Sequence, residues 1–419
     1  MSTNSMKRVL HLAVEYPSRN RKHNTPAVRH FIQANPKVDY RVFALRRTAN
    51  PFKCNLLEGD GYGDDKVTSM RYWGLPGGVL LFLSMTIVAW RIHKQIKQSG
   101  VNFHLIHAHK MAFEGLAGWW LSKWLNLPLA LSVRGEAESK ILRYKPHYTP
   151  LLQSMLARTD HLFYVSAWFK PVINGRFKVA KEKQSLLPNF VSRRHWCPKQ
   201  SFNADHLVSV MDLNVYEKKG LPVLLAAIAQ LANTRPELKL DIIGGGSEAN
   251  VALVNKLITR LKIENQVSLL GKIDNQQLLN RFGDYAAMVL PSRNETFGMV
   301  YVEALLSGVP ILHSSHTGID GFLEGISARV IADPKQVDSV ASALNQLLDK
   351  QHDFRMWLID NHHKVAARFD RAPYIEHYNQ CFNLTNDEAP AAESNACTSK
   401  VESAPSTPSK PESPMTAPR

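Results

Sequence analysis

The chain of 419 residues is long enough for two domains, and its 44% hydrophobic content suffices for two packed cores. A surplus of 51 Lys and Arg over 36 Asp and Glu gives a formal charge of +15, which favours polyanionic partners such as an anionic membrane face or a phosphorylated glycolipid. No Lys/Arg-rich block interleaved with aromatics argues for nucleic acid, and Cys54, Cys197, Cys381 and Cys397 lack the CxxC spacing of a zinc site or the pattern of a disulfide framework, which fits a reducing compartment.

Residues 1–7 are short and polar, so no signal peptide is expected. Residues 8–14 form an apolar run suited to a first buried parallel strand. A basic loop follows, with Arg19, Arg21, Lys22 and His23, and a helix is expected over 26–34. A second strand is read at 40–45. Residues 53–65 read as irregular, with Gly59, Gly61 and Gly63 marking turns. The apolar stretch 75–90, followed by Arg91, His93, Lys94 and Lys97, is shorter than the roughly 20 residues of a membrane span. It reads either as a buried helix or as an interfacial helix with a basic end on an anionic bilayer. Residues 103–109 form a strand ending in His107, Ala108 and His109, which sets His109 at the crevice side of an α/β sheet. Strands are also expected at 129–133 and 160–166, ending at Arg134 and Ser166.

After Leu187, Pro188 and Asn189 the pattern restarts, with a strand at 206–213 and a helix opened by Pro222 after Lys219 and Gly220. The strand 238–243 runs into Gly244, Gly245 and Gly246, by itself a weak nucleotide signal, and 267–271 is the next strand. The most informative stretch is 286–310: an apolar strand to Pro291, a polar loop 292–296, a helix 298–307 and a stop at Gly308. The N–H groups at a helix start attract anions, and Gly298 lets a ligand approach that backbone closely. A phosphate over Gly298, Met299 and Val300 would have Glu295 on one side and Glu303 on the other. Carboxylates repel phosphate but accept hydrogen bonds from hydroxyls, so the pattern points to a sugar nucleotide. Strands at 309–313 and 328–332 and helices from 336 to about 384 complete a regular alternation, which predicts two mainly parallel sheets. Residues 385–419 are rich in Ala, Pro, Ser and Glu and are expected to be disordered.

Pro291, Ser292, Glu295, Phe297, Gly298, Glu303, Ala304, Gly308 and Pro310 fall in the register of a Glu-x7-Glu motif. The segment resembles that of the group-one, family-four-like retaining glycosyltransferases of the GT-B fold. The resemblance extends over about 8–384 and implies two Rossmann-like doubly wound α/β domains facing an interdomain cleft. Residues 1–200 would form the acceptor domain, with a last helix at about 367–384 packing back on it, and 201–366 the nucleotide-sugar domain.

The resemblance further implies hexosyl transfer with retention, from a nucleotide-sugar donor to a glycan or lipid-linked acceptor, without metal or other cofactor. Glu295, His109 and Lys219 would act on the sugar and the leaving diphosphate. Glu303 would hold the ribose. Gly298, Met299, Val300, Phe297, Arg293, Lys272 and Gly245 would complete the donor site. A role in cell-surface polysaccharide or glycolipid synthesis follows as an expectation, with a cytoplasmic location, peripheral on the inner membrane face. Several positions depart from the family pattern. The glycine-rich loop after the first strand is missing, Arg134 replaces a histidine, and Phe190 replaces a glycine. Met211 and Asp212 stand where relatives carry Gly-Arg, so one of two phosphate-neutralising cations is lost; Arg293 and Lys218 are the nearest replacements in sequence. Asp212 therefore leaves a catalytically reduced sugar-nucleotide or glycan-binding module as an alternative, beside a sugar-nucleotide epimerase of the same shape.

Overall fold

The computed structural model describes residues 6–21, 25–191 and 202–385. The tail expected to be disordered, nearly all of it, and the expected boundary at 200/201 lie outside the described residues. The first sheet holds β1 (Arg8–Ala13), β2 (Asp39–Thr48), β3 (Asn55–Glu58), β4 (Val67–Trp73), β5 (Leu105–Ala108), β6 (Leu129–Val133), β7 (His161–Tyr164) and β8 (Gln184–Leu186). Its helices are α1 (Ala27–Gln33), α2 (Leu81–Ser99), α3 (Glu114–Leu125), α4 (Glu136–Tyr144), α5 (Thr149–Arg158) and α6 (Lys170–Arg176). The spatial order is β3-β4-β2-β1-β5-β6-β7-β8, and every pairing is parallel except β3 with β4.

The second sheet holds β9 (Asn203–Val210), β10 (Lys239–Ile243), β11 (Val267–Gly271), β12 (Tyr285–Val289), β13 (Ile311–Ser314) and β14 (Arg329–Ala332). The helices α7 (Leu221–Leu231), α8 (Glu248–Leu261), α9 (Asn275–Phe282), α10 (Met299–Leu306), α11 (Val337–Asp349), α12 (Gln351–Asp360) and α13 (His362–Arg368) accompany it. The order β11-β10-β9-β12-β13-β14 is wholly parallel. Both units are Rossmann-like. In each, the winding reverses beside the first strand, at β1/β5 and at β9/β12. Loops leaving the carboxyl ends of strands at such a reversal diverge and open a crevice. β5, β6 and β12 are buried along their whole length, which is why they read as unbroken apolar runs.

The last helix, α14 (Arg371–Cys381), returns to the first sheet. Ile375, Tyr378 and Leu384 pack with Val9, Ala13, Phe31 and Phe163. Asn35 and Asn379 exchange two amide hydrogen bonds of 2.7 and 3.2 Å.

One reading changes. Residues 53–65, taken as irregular, contain β3. It is an edge strand whose Leu56 and Leu57 are exposed, so burial imposed no alternating pattern on it. The apolar stretch 75–90 yields α2, which is buried along one side and exposed along the other. Leu81, Met85, Val88, Ala89, Ile92 and Ile96 are buried, while Leu83, Ile87 and Trp90 stay exposed beside the exposed cap residue Leu80. No helix among the described residues is long and apolar enough to cross a membrane.

Candidate active site

The loop from β12 to α10 is fixed by its backbone. The Glu295 N–H donates to Thr317 Oγ1 at 2.7 Å, and the Gly318 N–H donates to the Glu295 carbonyl at 2.9 Å. Gly298 caps α10 at φ 80°, and a Cβ there would lie 2.5 Å from the Tyr301 ring. Only glycine therefore turns the chain into the helix at this point. Tyr301 N–H already donates to the Gly298 carbonyl, so the anion-attracting end of α10 consists of Met299 and Val300.

A second segment is laced to this loop. The Arg293 N–H donates to the Lys218 carbonyl at 2.9 Å. Gly220, at φ 77°, packs so closely beneath Pro291 that a Cβ would sit 1.9 Å from the Pro291 carbonyl oxygen. This contact carries Lys219 alongside the loop, where its ammonium donates to Glu295 Oε2.

These groups line a cavity of 410 Å³. The second sheet supplies Val210 at the end of β9, Leu290 just beyond β12, Lys219, Glu295, the Thr296 to Val300 turn and Glu303. The first sheet supplies Glu15 beyond β1, Arg134 beyond β6, Glu136 at the start of α4, and Thr25 and Asn189. The cavity thus lies between the two sheets, at the winding reversal of the second. Beside it, Lys218 pairs with Glu136 Oε1 at 2.7 Å, and Ser166 Oγ donates to the Thr296 carbonyl at 2.5 Å, which links the two halves.

Burial by itself raises the Glu15 carboxyl, but Lys110, then Arg134 and Arg21, outweigh it and hold the acid below its ordinary range. Burial likewise opposes ionisation of Glu136, and Lys218 and Lys140 reverse the balance. The wall from the first sheet is therefore a set of ionised carboxylates with cations between them.

The remaining expected site residues divide. Glu295, Lys219, Gly298, Met299, Val300 and Glu303 meet at the cavity. Phe297 borders it, yet its ring is buried edge-on against Phe322 at 5.2 Å, so the residue offers backbone. His109 lies outside the lining set and is 3% exposed. It stacks on His107 at 4.1 Å between ring centres, and its Nε2 is 3.1 Å from His11 Nδ1. Burial, then the neighbouring His107, His11 and Arg134, holds it neutral, far below the usual histidine range. His107 is occupied on both ring nitrogens, by Tyr378 Oη at 3.2 Å and Ser132 Oγ at 2.8 Å.

Arg293 turns outward, with Nε 3.4 Å from the Pro334 carbonyl. Lys272 and Gly245 lie together, since a Cβ on Gly245 would be 3.4 Å from Lys272 Cβ, but neither lines this cavity. Asp212 accepts from the Asn214 N–H and side-chain amide, both at 2.9 Å, and caps a short 3₁₀ turn outside the lining set.

Of the two cations proposed from sequence proximity as replacements, Arg293 is engaged with Pro334 away from the cavity, while Lys218 is paired with the lining Glu136. Arg134 stands on the wall of the cavity. Its Nε donates to the His109 carbonyl at 2.9 Å and Nη1 lies 3.4 Å from Asn189 Oδ1. The sequence marked this residue as the replacement of a histidine and a candidate anion contact, but not as a partner of Lys219, because a site closed by two sheets draws cations from both. Its position directly after a parallel strand was the available signal.

Comparison with known proteins agrees with this fold. Residues 25–194 match the model described as Glycosyltransferase Family 4, and residues 193–365 match Glycosyl transferases group 1. A curated relative, D-inositol 3-phosphate glycosyltransferase of Streptomyces scabiei, is 25% identical over 268 residues, covering 58% of this chain and 59% of the relative. The chain thus spans about three fifths of the length of that relative. Sucrose-phosphate synthase from Thermosynechococcus elongatus superposes with TM-score 0.69 at 18% identity, over 90% of this chain and 98% of its own. The Anabaena protein HepE, solved in complex with UDP and glucose, superposes with TM-score 0.62 at 16% identity, over 91% and 100%. With two adjoining family matches running from 25 to 365 over a pair of Rossmann-like sheets, the chain belongs to the group-one, family-four-like glycosyltransferases of the GT-B fold.

Proposed function

We propose that this chain transfers a hexosyl group from a nucleotide-sugar donor to a glycan or lipid-linked acceptor, with retention at the anomeric carbon. One observation carries the reading. Glu295 and Glu303 line a single cavity on either side of the Gly298 turn, with Lys219 beside them and Arg134 opposite. In this reading the donor diphosphate lies over Met299 and Val300. Lys219 and Arg134 neutralise charge as it grows on the leaving group, the largest contribution such a site offers. Glu295 accepts from the sugar hydroxyls and Glu303 from the ribose. His109 shapes the wall through its neighbours and moves no proton. Residues 1–200 with 367–384 form the acceptor half and 201–366 the donor half. A HepE structure holding UDP and glucose on the same fold supports the choice of donor class.

Turnover with a panel of nucleotide sugars tests this reading. Binding without transfer or hydrolysis would favour the reduced-module alternative that Asp212 raised. For Arg134→Met, affinity for the nucleoside diphosphate is expected to fall about tenfold, the scale of one charge-assisted contact, while affinity for the bare nucleoside holds. Equal losses for both ligands would mean that Arg134 serves only the packing around His109.

A second cavity supports the acceptor assignment. It measures 610 Å³ and includes Asn294, the neighbour of Glu295. Arg47, Lys140, Arg143 and Lys145 line it together with Leu75, Val79, Leu81 and Tyr144, and no carboxylate among the described residues lines it. Such a lining suits an acceptor with both an anionic and an apolar part. Leu80, Leu83, Ile87 and Trp90 are exposed along α2, and exposed Arg91, Lys94 and Lys97 follow on the same helix. We place this face on an anionic membrane surface, on its cytoplasmic side. The protein is expected to sediment with phosphatidylglycerol vesicles at low salt and to be released at high salt, and Ile87→Glu should abolish the binding. Sedimentation unaffected by Ile87→Glu would remove α2 from the contact.

A further inference from the structure

Outside the cavity, His161, His377 and Cys381 converge on the back of the first sheet. His161 opens β7 and is nearly buried, while His377 and Cys381 stand one turn apart on α14. Cys381 Sγ lies 3.6 Å from His377 Nε2 and 4.0 Å from His161 Nε2. One ligand atom from each of the three falls within 4.8 Å of the others. Tetrahedral zinc, with bonds of about 2.3 Å to sulfur and about 2.0 Å to nitrogen, holds S and N about 3.5 Å apart. The two sulfur–nitrogen distances lie within about half an ångström of that value, and the two imidazoles close the rest of the set by side-chain rotation.

We propose that His161, His377 and Cys381 bind one zinc ion that staples α14 to β7, with water as the fourth ligand. Two imidazoles and a thiolate are a donor set for zinc rather than for magnesium or calcium, which take oxygen. Binding releases the Cys381 thiol proton to solvent and leaves a sulfur–zinc bond. His161 Nε2 lies 2.8 Å from Ser185 Oγ, and it exchanges this hydrogen bond for the ion. The cysteine spacing gave no sign of the site, because its ligands meet only when the end of the chain folds back over β7.

The full-length chain, stripped with chelator and titrated with Zn²⁺ alone, is expected to take up one equivalent and melt a few degrees higher. Co²⁺ in its place should give a thiolate-to-metal charge-transfer band. Cys381→Ser and His377→Ala should each weaken uptake at least tenfold and Cys381→Ser should remove the band, while Cys54→Ser leaves both unchanged. Uptake and melting that are the same in wild type, Cys381→Ser and His377→Ala would overturn the site, as would a cobalt complex without the thiolate band. Both ligand substitutions lie near the surface, and folding of each variant is checked by its circular dichroism without metal. Sugar transfer is not the readout, so failure here leaves the transferase reading intact.

Discussion

Replacing Glu295 with alanine is expected to lower sugar transfer by about 10²–10³-fold while the protein still folds and binds nucleoside diphosphate. The scale is that of removing one preorganised group from around a developing charge. Folding survives because the loop is tied through the Glu295 backbone, to Thr317 Oγ1 and the Gly318 N–H, and alanine keeps both bonds. The partner left behind, Lys219, has a side chain 20% exposed, so water still reaches its ammonium. Nucleotide binding should hold or tighten, because Lys219 no longer divides itself between the carboxylate and the phosphate. Initial rates with saturating donor, beside calorimetric titration of the nucleoside diphosphate, separate the two effects. Wild-type turnover in the variant would remove Glu295 from the chemistry.

The second large effect is on stability. Gly220→Ala is expected to cost about 2–4 kcal/mol and to take most of the activity with it. The backbone conformation at φ 77° strains an alanine, and its Cβ would collide with the Pro291 carbonyl. Backbone on one side or the other must yield, and both sides belong to the site. Gly175→Ala is the control. Gly175 lies within α6 and a Cβ there meets nothing within 4 Å, so that change should be neutral or slightly stabilising. Urea denaturation of the two variants against the parent measures the difference. A Gly220→Ala protein as stable as the parent would mean that the 218–220 segment is not held in the way described.

The fold was legible wherever burial wrote itself into the chain. Parallel strands covered on both faces demand long apolar runs, so β1, β5, β6 and β12 stand out. Where an element faces water the rule lapses, and β3 at the sheet edge was passed over. For the site, the contiguous part was readable because one loop and one helix turn must carry glycine and acid at fixed spacing. Glu15 was harder, and Arg134 was marked only as a replaced histidine, since they follow β1 and β6, strands far apart in sequence that the order of the first sheet brings near each other. Asp212 misled in the opposite way. The position suggested a charge against the phosphate, but a short acid ahead of an Asn is also a turn cap, and here local backbone bonding takes the side chain.

The return of α14 has a mechanical consequence. Because the polypeptide passes from the first sheet to the second after β8 and back again ahead of α14, the halves share two tethers instead of one. Two rigid bodies joined at a pair of points cannot drift apart or swivel freely, and the easiest freedom left to them is a rocking about the line through both joints. That rocking is the motion by which the crevice opens most easily, and a cut ahead of residue 371 would leave the halves with a single covalent connection.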